Sequence, residues 1–189
     1  MSDDRSRLLT VIREQSLQTG EFTLTSGKKS RYYLDCRKTT LHPLGGLLTA
    51  RLMLNTILER GIEAEAVGGL TLGADPIASS IATVSEIERR PLPAFIVRKQ
   101  GKGHGAKRLI EGWEGNPGSR VIIVDDVCTT GGSILEACEK VEKVGYVVAA
   151  AFCMVDREEG GTEAIRDKYP FYPIFSVRDL FENGAAVDQ

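Results

Sequence analysis

Residues 121–133, VIIVDDVCTTGGS, constrain the fold of this chain more than any other stretch. They open with four β-branched apolar residues, and so short and uniformly apolar a run is typical of a strand buried on both faces of a parallel sheet. Asp125 and Asp126 follow, where the strand should leave the core. A small, glycine-rich segment then leads into a helix, whose predicted apolar face consists of Ile134, Leu135, Ala137, Cys138, Val141 and Val144.

This order of elements suits the binding of a sugar phosphate. Gly131 and Gly132 let backbone N–H groups close around an anion, and the start of a helix adds partial positive charge. The hydroxyls of Thr129, Thr130 and Ser133 can donate to the same anion, while the two carboxylates could accept from ribose hydroxyls. Neither the nucleotide P-loop pattern nor the Rossmann glycine pattern is present. The alternative is a tight strand-to-helix turn with an N-cap, which the acidic pair disfavours.

Composition and charge bound the other possibilities. A chain of 189 residues suits one domain with a full core, and 42% hydrophobic and 26% charged residues are typical of a soluble globular protein. A net charge of −2 disfavours a nucleic-acid partner. No apolar run approaches the roughly 20 residues of a membrane span, and MSDDRSR does not resemble a signal peptide. A cytoplasmic protein with neither nucleic acid nor membrane as a partner is therefore expected.

The four cysteines, Cys36, Cys128, Cys138 and Cys153, are scattered without a C-x-x-C pair. This spacing predicts neither a metal site nor a disulfide, so no residue is assigned as a metal ligand and a reduced protein is expected. Cys128 lies inside the glycine-rich stretch, which raises the question of a catalytic thiol. No activating base is evident beside it in the sequence, so this reading is disfavoured.

Periodic patterns along the chain predict an α/β fold with a parallel sheet of about five strands and active loops at the carboxyl edge of the sheet. A first helix is predicted over residues 3–18 and closed by Gly20, and a hairpin over residues 22–25 and 31–35. The further strands are expected at 66–70, 94–97, 121–124, 146–155 and 172–176. The further helices are expected at 43–60, from Pro76 onward, from 134 onward and at 162–168.

Two charged segments stand out from this pattern. Residues 98–108, RKQGKGHGAKR, carry six basic side chains counting His104 and three glycines, with no acid before Glu111. A solvated charge run is the usual interpretation, but the interleaved glycines favour a mobile cationic loop. Arg157 follows the predicted strand 146–155, where α/β sheets bind ligands. A surface ion pair with Glu158 or Glu159 is the alternative for this arginine.

Four segments resemble motifs of a known family. Residues 121–133 resemble the phosphoribosyl-diphosphate (PRPP) binding signature of type I phosphoribosyltransferases. Residues 22–37, FTLTSGKKSRYYLDCR, resemble the N-terminal hood of orotate phosphoribosyltransferases, and RKQGKGHG at 98–105 resembles their catalytic loop. The V-D-R corner at 155–157 resembles the family corner whose arginine contacts the orotate carboxylate, a pairing that suits guanidinium geometry.

The resemblance implies a type I phosphoribosyltransferase-like parallel sheet flanked by helices, with an N-terminal hood. It implies a single domain over residues 1–189, with about 1–42 and the C-terminal segment as hood or cover elements. The implied reaction transfers the 5-phosphoribosyl group from PRPP to orotate, giving orotidine 5′-monophosphate and pyrophosphate in de novo pyrimidine (UMP) biosynthesis. It implies Mg²⁺ as cofactor and a homodimer in which loop 99–107 is shared across the interface.

The resemblance also implies roles for individual residues. Thr129 and Arg157 would bind orotate. Catalytic roles fall to Lys102, His104, Asp125 and Asp126. The expected PRPP-binding residues are Arg98, Lys99, Lys102, His104, Asp125, Asp126, Val127, Cys128, Thr129, Thr130, Gly131, Gly132 and Ser133.

The chain departs from the family pattern at two positions. Some members carry lysines where this sequence has Thr25 in the hood and Gly73 in the loop expected to contact pyrophosphate. Their absence would leave more of the work to Arg98, Lys99 and Lys102. A phosphoribosyltransferase for a purine or uracil should lack the RYYLD and RKQGKGHG segments, both of which are present. A non-catalytic regulator on this fold should lose catalytic-loop residues or add a DNA-binding module, and neither is seen.

Overall fold

The computed structural model describes residues 2–23, 29–100 and 109–181. The strands are β1 (Leu17–Thr23), β2 (Lys29–Leu34), β3 (Ala66–Leu70), β4 (Ala94–Val97), β5 (Ile110–Glu111), β6 (Arg120–Cys128), β7 (Val147–Asp156) and β8 (Phe171–Ser176). The helices are α1 (Ser2–Val11), which continues as a wider π-helical turn (Ile12–Ser16), α2 (Arg37–Thr40), α3 (Pro43–Glu59), α4 (Ala74–Ile87), α5 (Gly132–Lys143), α6 (Gly161–Arg166) and a 3-10 turn (Val177–Leu180).

The main sheet has six strands in the order β5-β4-β3-β6-β7-β8, and the five from β4 to β8 run parallel to one another. This arrangement confirms the predicted α/β fold with helices on both faces. The apolar residues of β6 alternate between two cores, which is why the run contains no polar position. Val121 and Ile123 pack with α5, whereas Ile122 and Val124 pack with α3 and α4.

The main sheet differs from the prediction at two of its strands. β5 was not predicted, because it is only two residues long and carries no periodic signal; it pairs antiparallel with β4. β6 continues four residues past its apolar run, because its backbone stays paired with β7 through Asp125↔Cys153 and Cys128↔Asp156. The acidic pair therefore lies within the last part of the strand rather than beyond it.

The N-terminal segment packs on the carboxyl ends of β7 and β8. Leu8, Ile12 and Tyr32 are buried in a cluster with Val155 and Phe175. The predicted hairpin is confirmed as the antiparallel pair β1–β2, and its turn at 24–28 lies outside the described residues.

The first helix is shorter than predicted. Helical turns end at residue 16, and Gly20 lies inside β1, so the predicted helix through residue 18 with Gly20 as its cap is wrong. Pairing of Leu17 with Leu34 in the hairpin recruits the end of that helical pattern into the strand. Across residues 2–23, 29–100 and 109–181, no helix has both the length and the apolar character needed to cross a membrane.

Candidate active site

The acidic pair lies in the last part of the central strand β6, at the carboxyl edge of the sheet. Asp125 is buried, with 6% of its surface exposed, and Asp126 is half-buried. The Asp126 backbone N–H donates to Asp125 Oδ1 over 3.0 Å, and the Val127 N–H donates to Asp126 Oδ1 over 2.9 Å. These backbone bonds fix the orientation of both carboxylates while leaving their other oxygens available to a ligand.

Burial dominates the electrostatics of this pair. Desolvation, followed by the neighbouring charge of Asp126, raises the pKa of Asp125 to about 8. Desolvation also raises the pKa of Asp126. Two cations act in the opposite direction, since Lys99 lowers the pKa of Asp125 and Arg37 lowers that of Asp126. These two charges do not offset the desolvation of the pair, so ligand groups that donate hydrogen bonds or carry positive charge would favour its ionised form.

The glycine-rich loop lies at the start of α5, where the sequence predicts an anion cradle. Gly131 has φ +80° and immediately precedes the helix, a left-handed conformation that favours glycine. Gly132 begins the helix. The free N–H groups of the first helical turn and the positive end of the helix dipole therefore both lie next to the glycine-rich loop. Thr129 is half-buried, while Thr130 and Ser133 are exposed with their hydroxyls available.

The corner between β7 and α6 packs directly against this loop. The Gly161 N–H donates to the Thr129 carbonyl over 3.0 Å. A Cβ at Gly161 would lie 2.4 Å from that oxygen, 2.7 Å from the Gly131 nitrogen and 2.5 Å from Cys128 Sγ. The contact therefore requires glycine, and Cys128 is packed inward with 1% of its surface exposed. That burial gives a thiol nucleophile at Cys128 no support.

Gly73 brings the loop between β3 and α4 against the acidic pair. A Cβ at this position would lie 2.5 Å from Asp125 Oδ1 and 2.5 Å from Asp126 Oδ1. The position occupied by a lysine in some family members therefore has no room for a side chain in this arrangement. Backbone alone approaches the carboxylates here.

Arg157 lies at the end of the neighbouring strand, β7. Its side chain is 15% exposed and pairs with Glu159 over 2.9 Å, so the ion-pair alternative describes one of its contacts. Its Nε also donates to the Tyr32 hydroxyl over 3.1 Å, and its backbone N–H donates to the Cys128 carbonyl over 2.8 Å. These contacts bring Arg157 beside the glycine-rich loop and under the N-terminal hairpin.

Only the first part of the cationic segment is described. Arg98 pairs with Glu111 across the two strands that lead into and out of residues 101–108, and its N–H donates to the Leu109 carbonyl over 2.8 Å. Lys99 is close enough to Asp125 for its charge to lower the pKa of that carboxyl. Lys102 and His104 lie outside the described residues.

The sequence interpretation missed two cations beside this edge. Arg37 forms an ion pair with Asp35 over 2.9 Å, and its charge reaches Asp126. The D-C-R triplet that ends the hood-like segment was the available signal. The sequence interpretation gave Lys140 no role, yet its side chain is 12% exposed and contacts the segment at Arg98 and Lys99.

Comparisons with known proteins agree with this geometry. Residues 42–189 match the family model described as "Phosphoribosyl transferase domain". The orotate phosphoribosyltransferase of Rhodopirellula baltica is 46% identical over 169 residues, covering 87% of this chain and 87% of that protein. The chain belongs to the orotate phosphoribosyltransferase family.

Solved orotate phosphoribosyltransferases share its fold. The Mycobacterium tuberculosis H37Rv enzyme in complex with Fe(III) dicitrate superposes with a TM-score of 0.84 at 41% identity, covering 94% of this chain and 98% of that one. The same enzyme in complex with PRPP gives a TM-score of 0.78 at 37% identity with the same coverage. Membership of the orotate phosphoribosyltransferase family gives the purine, uracil and non-catalytic alternatives no support.

Proposed function

We propose that this chain transfers the 5-phosphoribosyl group from PRPP to orotate, giving orotidine 5′-monophosphate and pyrophosphate. One observation carries the proposal beyond family membership. The ends of the adjacent strands β6 and β7 bring a buried carboxylate pair, an anion-binding helix start and an arginine held by the hairpin to one edge of the sheet. These are the groups that a ribose, its 5′-phosphate and a carboxylate-bearing base need.

The 5′-phosphate would bind in the cradle of residues 129–133. Backbone N–H groups at the start of α5 and the hydroxyls of Thr129, Thr130 and Ser133 supply donors, and the helix dipole favours the anion. Gly131 and Gly132 allow the backbone to approach the phosphate closely. Val127 and Cys128 complete this segment of the PRPP site through their backbone.

Asp125 and Asp126 would accept hydrogen bonds from the ribose hydroxyls. These bonds favour the ionised form, so we expect PRPP binding to lower the raised pKa of the pair. The ionised pair would then stabilise positive charge that develops on the ribosyl group as the bond from its anomeric carbon to the diphosphate oxygen breaks. A bond from that carbon to the orotate ring nitrogen forms as pyrophosphate leaves, without a covalent enzyme intermediate.

The departing pyrophosphate would be bound by Arg98 and Lys99, with Lys102 and His104 from the segment outside the described residues. The oxygen donors of Asp125 and Asp126 fit Mg²⁺, which commonly binds one or two carboxylates together with substrate phosphates. Among the residues that the structure describes, no group of three metal-ligating side chains occurs, so PRPP itself would supply most ligands. When bound, Mg²⁺ supplies positive charge to the diphosphate.

Orotate would be oriented by Thr129 and Arg157. The guanidinium is preorganised by Tyr32 and Glu159, and the orotate carboxylate would compete with Glu159 for its N–H donors. The hairpin would act as the hood over the base.

The functional unit that we propose is a cytoplasmic homodimer of single-domain chains. Loop 99–107 of each chain would serve the active site of the other. Residues 1–42 and the C-terminal segment would form the cover elements of the domain.

Release of pyrophosphate tests the proposed reaction. With PRPP and Mg²⁺ present, orotate should trigger release of one pyrophosphate per orotidine 5′-monophosphate formed. Release that proceeds equally well with adenine or uracil would contradict the assignment of the acceptor, and release without any base would indicate PRPP hydrolysis instead.

A further inference from the structure

Lys140 lies in the third turn of α5, the helix whose first turn follows the phosphate cradle. Its Nζ is 2.8 Å from the Arg98 carbonyl oxygen, 2.8 Å from the Lys99 carbonyl oxygen and 2.6 Å from Glu136 Oε1. An ammonium group has three donors, and these three acceptors use all of them. A lysine on the solvent-facing side of a helix normally keeps its ammonium group in water. The Lys140 side chain is instead 12% exposed, and all three of its donors are engaged by the protein.

The carbonyls that Lys140 holds belong to the point where the chain leaves the sheet. β4 ends at Val97, so Arg98 and Lys99 come directly after its last paired residue. The backbone N–H of Arg98 binds Leu109, and its side chain binds Glu111. These contacts join the two ends of the cationic segment to each other, but they do not tie either end to α5. Lys140 adds the link from Arg98 and Lys99 to α5.

We propose that Lys140 is a positioning residue for PRPP and pyrophosphate, setting the direction in which Arg98 and Lys99 leave the sheet relative to the phosphate cradle. One rigid helix carries the cradle at one end and this anchor at the other. The distance between the 5′-phosphate site and the first pyrophosphate-binding cations is thereby fixed. This inference rests on the proposed function of Arg98 and Lys99.

Replacement of Lys140 by methionine tests the anchor, since methionine keeps the apolar stem and removes all three donors. Charged hydrogen bonds of this kind correspond to roughly a tenfold change. We expect the KM for PRPP, and that for pyrophosphate in the reverse reaction, to rise about tenfold, with the KM for orotate within about twofold of wild type. Lys143→Met, at an exposed position on the same helix, is the matched control and should behave as wild type.

Further measurements separate positioning from general destabilisation. Lys140→Arg restores charge and donors and should recover part of the loss. Hydrogen exchange at residues 96–100 should accelerate in Lys140→Met and not in Lys143→Met. Should Lys140→Met fail to fold, Lys140→Gln, which stays polar but lacks the charge and the reach of lysine, replaces it in the kinetics and in the exchange measurement. Wild-type values in both would overturn the proposal.

Arg98→Ala and Lys99→Ala separate a failure of the proposed pyrophosphate-binding function from a failure of the Lys140 anchor alone. If neither changes the KM for PRPP or pyrophosphate, the proposed function of these cations is wrong, and the anchor falls with it. If both do, but Lys140→Met matches Lys143→Met, only the role of Lys140 is wrong. An equal loss for all three substrates would also overturn the positioning role.

Discussion

Arg157 donates a hydrogen bond from Nε to the Tyr32 hydroxyl over 3.1 Å, and its guanidinium carbon lies 5.0 Å from the centroid of the same ring. Tyr32 belongs to the N-terminal hairpin and Arg157 to the end of β7, so this pair joins elements that are 125 residues apart in sequence. The Tyr32 ring also packs edge-on against Phe181. The proposed base site is thereby built from both ends of the chain.

We expect Arg157→Ala to raise the KM for orotate far more than that for PRPP. Loss of the guanidinium leaves the orotate carboxylate partly desolvated and unpaired, at a cost of roughly 2–4 kcal/mol. Steady-state kinetics with each substrate varied in turn measure the split. Tyr32→Phe, which removes only the hydroxyl, should have a smaller effect in the same direction. Equal damage to both substrate constants would remove Arg157 from the orotate site.

The acidic pair should be essential for turnover but not for folding. Asp125→Asn and Asp126→Asn keep the side-chain volume and lose the negative charge that the proposed ribosyl transition state requires. We expect kcat to fall by at least about a hundredfold in each variant, with unchanged circular dichroism. Near-wild-type rates in both variants would contradict the ribose-binding assignment.

Stability should change in the opposite direction to activity. The folded-state pKa of Asp125 is raised from 3.8 to about 8, so folding takes up a proton between these pH values. Its contribution to the free energy of unfolding is therefore present below pH 3.8 and lost as the pH rises toward 8. At pH 8 the Asp125→Asn variant should exceed wild type by roughly 1–3 kcal/mol in urea unfolding, and the difference should vanish near pH 4. A difference that is independent of pH, or that grows toward pH 4, would refute this account.

The central strand and its loop were predictable because local chemistry determined both. The apolar run at 121–124 and the glycines at 131 and 132 gave the strand, the turn and the helix start in the right order. Contacts between distant segments were not predictable in this way. Lys140 binds carbonyls about forty residues away, and nothing in the periodicity of α5 distinguishes it from Lys143.

Backbone pairing explains the other differences from the sequence-based picture. Asp125 and Asp126 were expected beyond a strand that in fact continues to Cys128, because pairing with β7 does not depend on side-chain polarity. The first helix gives way to β1 for the same reason, since the hairpin partner Leu34 is not visible from the local pattern around Leu17.

Gly161→Ala should damage PRPP binding specifically. The added Cβ would meet Thr129 O at 2.4 Å and Gly131 N at 2.7 Å, so the phosphate cradle must shift. We expect the KM for PRPP to rise about tenfold or more and stability to fall by roughly 2 kcal/mol. Gly118→Ala is the control, because its φ of +91° strains alanine although no atom lies within 4 Å of the added Cβ. It should lose stability and keep its KM, and equal KM values for the two variants would contradict the proposed cradle.

A shared active site predicts complementation between inactive chains. Lys102→Ala chains mixed with chains carrying both Asp125→Asn and Asp126→Asn should regain activity, because one site of each mixed dimer then collects every lesion and the other collects none. If each loop serves its own chain, every site keeps a lesion and the mixture stays inactive. Mass spectrometry should verify subunit exchange, and absence of recovery after verified exchange would refute the sharing of loop 99–107.

The absorbance of orotate is the most direct test of the central claim, because conversion to its nucleotide changes the ring chromophore. The purified protein should change this absorbance only when PRPP and Mg²⁺ are both present, and the Asp125→Asn/Asp126→Asn double variant should not. Uracil and adenine at the same concentration should remain unconverted. Unchanged orotate under these conditions, or comparable conversion of uracil or adenine, would contradict the assignment of this site to orotate phosphoribosylation.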